Sequence, residues 1–81
     1  MRNSMKSEAL YKTKDVVDYI AFIINEFSSK FDIPVQQAFN YLYRHGGIEF
    51  LDRHYEVEHC DNPLITLDTL QHICKQRGGE L

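Results

Sequence analysis

The sequence predicts an all-α fold, a compact bundle of about four short helices, and three observations lead there. Apolar residues recur at helical spacing in separate stretches, the longest stripe being Val16, Ile20, Ile23, Ile24, Phe27 and Phe31. Between the stretches stand residues that stop helices: the pair Gly46-Gly47, the run Asp61-Asn62-Pro63 and the pair Gly78-Gly79. The composition, 43% hydrophobic and 26% charged, is that of a chain that folds.

Residues 1–14 show no sustained period and read as a mobile basic arm. Asp15 has the chemistry of an N-cap, with Asp18 also in the positive first turn, so a first helix is expected over about 15–30. Its stripe is wide enough to be the main wall of the core, with Val17 at the edge. Phe22 points away from the middle of that stripe and Tyr19 lies between the two, which makes a second apolar patch on the far face.

Pro34 suits the first turn of a second helix, about 34–45, in which Val35, Ala38, Phe39 and Leu42 form the stripe. Arg44 and His45 precede Gly46-Gly47, and at least one of those glycines is expected at positive φ. Ile48, Leu51 and Tyr55 resume helical spacing over about 48–56. A polar loop follows, and Thr66 is the expected N-cap of a last helix over about 66–77, with Ile65 stapling to Leu70. Leu67, Leu70, Ile73 and Cys74 form its inner face, and 78–81 is an exposed tail. The single helical domain is thus 15–77.

At 81 residues such a chain buries only about 60% of its unfolded surface, which leaves little room for a deep catalytic cleft. Net charge is −3, but Arg2, Lys6, Lys12 and Lys14 against Glu8 make residues 1–14 +3 and the remainder −6. An acidic body repels phosphate, so nucleic acid is not an expected partner. Two cysteines without a CxxC pair point to a reducing, cytoplasmic setting, and the apolar run Tyr19 to Ile24 is too short to span a membrane.

No constellation identifies a reaction, a cofactor or a small-molecule substrate. His54 and His59 are five residues apart and no second ligand pair echoes them, so no metal is expected. Cys60 beside His59 and Cys74 near His72 are not expected to form nucleophile pairs, because adjacent residues on a helix diverge by about 100° and Cys74 belongs to the core stripe. Glu49, Asp52, Glu56, Glu58 and Asp61 face only Arg53, a bias that suits a solvated face or the docking of a basic partner. The helix, double glycine and helix have the outline of a helix-turn-helix, but the second helix would present carboxylates to DNA.

These features favour a non-enzymatic protein-binding module, with Tyr19, Phe22 and Glu26 on one patch and Glu49, Asp52 and Glu56 on the other as candidate partner contacts. The alternatives are a homo-oligomeric structural protein and a small helix-turn-helix-like DNA-binding regulator.

The apolar first helix, the glycine stop, the run Ile48-x-x-Leu51-x-x-x-Tyr55-Glu56-Val57-x-His59 and the closing helix after a polar loop resemble the small bacterial family catalogued as domain of unknown function 3791. The likeness covers about residues 15–77. Tyr55 to His59 is similar to that family's "YEVLH"-type segment, with Glu58 where the family has an apolar residue, and Cys60-Asp61-Asn62-Pro63 departs from its glycine-containing loop. The resemblance implies a companion of proteins that look like ADP-ribosyltransferase toxins, hence an antitoxin or adaptor, and implies no catalytic residue.

Overall fold

Apolar stripes at helical spacing must find one another, and of the five helices among the described residues, α1 (Arg2–Phe31), α2 (Val35–Arg44), α3 (Gly47–Arg53), α4 (Tyr55–Glu58) and α5 (Pro63–Gln76), all but α4 bring residues to one core. The structure is a computed structural model and describes the backbone of residues 2–80 and the side chains of 13–80. Among the described residues there is no strand, so the chain is all-α as expected. The expected arm over 1–14 falls almost wholly outside the described side chains.

α1 is the spine. Its 30 residues at about 1.5 Å each span the 46 Å long axis of the molecule, whose other axes are 22 and 21 Å. Asp15 therefore lies inside a helix and caps nothing. Extending a helix past a formed turn fixes one residue per hydrogen bond, and Met5, Lys6, Glu8, Ala9 and Leu10 are good helix formers. The spine packs against α2, α3 and α5. The core is Ile23, Ile24 and Phe27 from α1, Ala38, Tyr41 and Leu42 from α2, Leu51 from α3, and Leu67, Leu70 and Cys74 from α5.

α1 ends in a reversed turn in which the amides of Asp32 and Ile33 donate back to the carbonyls of Ser29 and Ser28. Asp32 takes the left-handed position that glycine usually fills, at φ 53°. Pro34 is the N-cap of α2, one residue outside its first turn.

The expected face of α2 is rotated. Ala38, Tyr41 and Leu42 are buried, whereas Val35 and Phe39 are 47% and 39% exposed. Tyr41 stacks on Phe27 with ring centroids 5.7 Å apart, and that contact turns the helix toward α1. Val35, Phe39 and the exposed Tyr43 are left along the outer face, with the Phe39 and Tyr43 rings stacked at 5.8 Å.

Gly46 follows α2 at φ +80° and is also the N-cap of α3, so the double glycine is the stop and restart expected of it. The expected third helix is divided at His54, whose φ of −110° and ψ of 22° lie off the helical values, and no proline or glycine announces the break. α5 begins three residues before its expected cap. Asn62 accepts the Leu64 amide at 2.9 Å and Pro63 fills N1, a combination as favourable as a threonine cap. Thr66 is instead buried, and Ile65 is 56% exposed and staples nothing inside. α5 closes with Gly78 and Gly79 donating to the carbonyls of Lys75 and Cys74, and this turn lies against the first double glycine: Gly79 is buried on the His45 ring and Arg77 covers Gly46. The tail is thus anchored at Gly79, with Glu80 exposed.

Candidate functional site

The break at His54 turns the chain so that α3 and α4 flank α1 instead of continuing past it. Between them and α1 lies a groove of about 390 Å³, lined by Thr13, Val16, Val17 and Ile20 on one side and Asp52, Arg53, Tyr55 and Glu56 on the other. Its apolar side is partly in water, Val17 being 57% exposed and Val16 and Ile20 half-buried. Carboxylates stand on its rim. Arg53 Nε is 3.7 Å from Glu49 Oε1, an exposed pair one helical turn apart that contributes little to stability.

One end of the groove is closed by aromatic rings. Tyr55 stacks on His59 at 4.3 Å and meets Tyr19 edge-on at 5.5 Å. Burial pushes the Tyr55 phenol above its ordinary value, and Asp15, Glu56 and Cys60 act in the same direction. Tyr19 is likewise raised, first by burial and then by Glu58 and Asp61, while the neighbouring Thr66 acts oppositely. Both phenols stay protonated at neutral pH. The Tyr19 hydroxyl is buried beside Thr66 without a hydrogen-bond partner, and the Thr66 hydroxyl donates to Glu58 Oε1 at 3.3 Å. Glu58 is accordingly half-buried, its carboxylate facing the Thr66 hydroxyl.

The six expected partner contacts divide. Asp52 and Glu56 line the groove together, Glu49 stands one turn away on α3, and Tyr19 closes the end through Tyr55. Phe22 is 47% exposed and Glu26 half-buried, and neither lines the groove. Val16, Val17 and Ile20 are the wall that sequence reasoning assigned to the core stripe. The position of Val17 at the stripe's edge was the available signal.

Cys60 and His59 come closer than helical divergence suggests, because the chain leaves α4 at His59. Cys60 Sγ lies 3.7 Å from Nε2 and 3.9 Å from Nδ1 of the ring, nearly equidistant and so not aligned on either nitrogen's lone pair. His59 Nδ1 donates to the Tyr55 carbonyl at 2.6 Å, and the thiol faces the Glu56 carbonyl at 3.7 Å. This is not the geometry of an activated nucleophile. Among the described residues no group of three or more His, Cys, Asp or Glu is placed to hold a metal ion, and no helix is long and apolar enough to cross a membrane.

No curated protein and no solved structure matches the chain. The family described as "Protein of unknown function (DUF3791)" matches residues 14–77, which hold α2 to α5, the core and the groove's lining apart from Thr13. A match over most of the chain, on the segment that folds as one core, makes this protein a member of the DUF3791 family.

Proposed function

We propose that the protein is a non-enzymatic binding module whose groove takes a basic amphipathic helix of a partner protein. The observation that supports this most directly is the pairing of an apolar wall, exposed Val17 with half-buried Val16 and Ile20, with Asp52 and Glu56 across from it. Apolar surface of that kind is where association gains free energy, and rim carboxylates select a partner of opposite charge. The sharper form of the reading, suggested by the family resemblance, is an antitoxin or adaptor that masks a neighbouring protein resembling an ADP-ribosyltransferase toxin. A DNA-reading role fits less well, because α3, the second helix of the helix-turn-helix outline, carries Glu49 and Asp52.

The test is co-expression with the product of the neighbouring gene. A heteromeric complex of fixed stoichiometry is expected, weakened about tenfold or more by Asp52→Lys with Glu56→Lys, the cost of reversing two rim charges. A complex indifferent to both substitutions, or no complex, would refute the groove as the recognition surface.

A further inference from the structure

The geometry points to a second site: a pocket between α2 and the closing turn that binds a small α-amino acid as its zwitterion. The pocket holds about 310 Å³ and is lined by Gln37, Asn40, Tyr41, Arg44, His45 and Glu80. None of these lines the α1 groove, so this reading stands apart from the one above. The volume is at the small end of the roughly 300–1,000 Å³ of ligand pockets, which keeps the occupant small.

Two distant parts of the chain meet there for local reasons. Gln37, Asn40, Tyr41 and Arg44 follow one another at i, i+3, i+4 and i+7, one face of α2. His45 is the C-cap, its ring 5.0 Å from that of Tyr41. The Gly79 amide donates to the Cys74 carbonyl at 2.8 Å, and a Cβ on Gly79 would sit 2.8 Å from the His45 ring. Glycine lets the chain pass that close, and the next residue, Glu80, is thereby delivered to the pocket.

The lining suits a molecule with two opposite charges. Arg44 and Glu80 are exposed and share the pocket, yet no ion pair joins them. Asn40 Oδ1 accepts from the Gln36 amide at 3.2 Å, which leaves the Asn40 amide nitrogen as a donor. Tyr41 is 8% exposed, and its hydroxyl is buried without a hydrogen-bond partner. Burial raises that phenol above its ordinary value, and Cys74 and Glu80 act in the same direction, so the hydroxyl lies between the core and the pocket. A buried hydroxyl left unpaired costs free energy that a bound polar group would recover. An anion alone would be repelled by Glu80 and a cation alone by Arg44. A carboxylate and an ammonium on one carbon answer both, the carboxylate on Arg44 and Asn40 and the ammonium on Glu80, with the Tyr41 hydroxyl free to donate to the first or accept from the second.

A chemical-shift titration of the full chain with L-alanine to about 20 mM tests this, beside ethylamine, which lacks the carboxylate, and propionate, which lacks the ammonium. Alanine should give saturable shifts at the Asn40, Arg44 and Glu80 amides, and each one-charge compound should bind about tenfold more weakly, as the loss of a charged hydrogen bond demands. Arg44→Gln and Glu80→Gln, both on exposed side chains, should each weaken alanine about tenfold with helicity by circular dichroism unchanged. Tyr41→Phe should melt at or above the parent, since it deletes an unpaired hydroxyl, and should still bind alanine more weakly. No saturable shift with alanine, propionate or ethylamine binding as tightly as alanine, or any of the three variants binding it like the parent would overturn the proposal. So would a Tyr41→Phe protein that melts below the parent, because the hydroxyl would then have its partner within the chain.

Discussion

Alanine at Gly46, Gly78 and Gly79 separates two costs that usually arrive together. Gly78 has φ +85° and open space where a Cβ would go, so Gly78→Ala meets only the left-handed penalty, about 1 kcal/mol. Gly79 has no such φ, but its Cβ would lie 2.8 Å from the half-buried His45 ring and 2.9 Å from the Cys74 carbonyl oxygen. A backbone oxygen in a helix cannot yield cheaply, so Gly79→Ala should cost about 2 kcal/mol, in the range of other overpacked sites. Gly46 combines φ +80° with the Arg77 guanidinium in the Cβ position. Arg77 is exposed and flexible, so Gly46→Ala should cost about 1–2 kcal/mol, and an Arg77→Ala background should remove only the part above the left-handed penalty. Thermal melts followed by circular dichroism resolve these values, since about 1 kcal/mol moves Tm by about 4–8 °C in a domain of this size. Gly78→Ala melting at or above the parent, or Gly79→Ala melting no lower than Gly78→Ala, would refute the reasoning.

Two further perturbations follow from the same framework. Asp32→Gly should stabilise by about 0.5–1 kcal/mol, because Asp32 holds a left-handed φ of 53° and sets a carboxylate at the negative end of α1; a Tm at or below the parent's would count against it. Stability should also fall in alkali. Burial raises the Cys74 thiol, with Arg77 and the Gly47 amide opposing, and burial is the first cause raising Tyr19, Tyr41 and Tyr55. Each group keeps its proton longer when folded, so the unfolded chain ionises first. The stability is complete below the unfolded values, about 8.5 for a thiol and 10 for a phenol, and is lost as pH rises past them. Urea midpoints at about pH 7, 9 and 10 check the sign, and Cys74→Ala should remove the first part of the decline.

Two of the apolar surfaces left in water among the described residues differ in what they offer a partner. The strip Val35, Phe39 and Tyr43 on α2 is bordered by Gln36, Asn40 and Arg44, so it carries no negative charge. The α1 groove joins apolar floor to carboxylates, and a surface with both features selects its ligand by shape and by charge.

What could be read from residues alone was local. The glycine pairs stop their helices at positive φ, because the αL position after a helix is open to glycine at no steric cost, and Ile23, Ile24 and Phe27 are core because a six-residue stripe on one face has nowhere else to go. The acidic body was a matter of counting. Tertiary structure decided between local options of similar strength. On α2, Val35-Ala38-Phe39-Leu42 and Ala38-Tyr41-Leu42 are both apolar faces, and the Phe27 ring chose the second. Asn62-Pro63 and Thr66 are both sound helix starts, and burying Thr66 against Tyr19 and Glu58 settled the first. The break at His54 has no local marker. The groove was legible only in part, as Asp52 and Glu56, because its other wall lies more than thirty residues earlier in the chain, and periodicity tells which face of a helix is apolar but not how far the neighbouring helices reach along it.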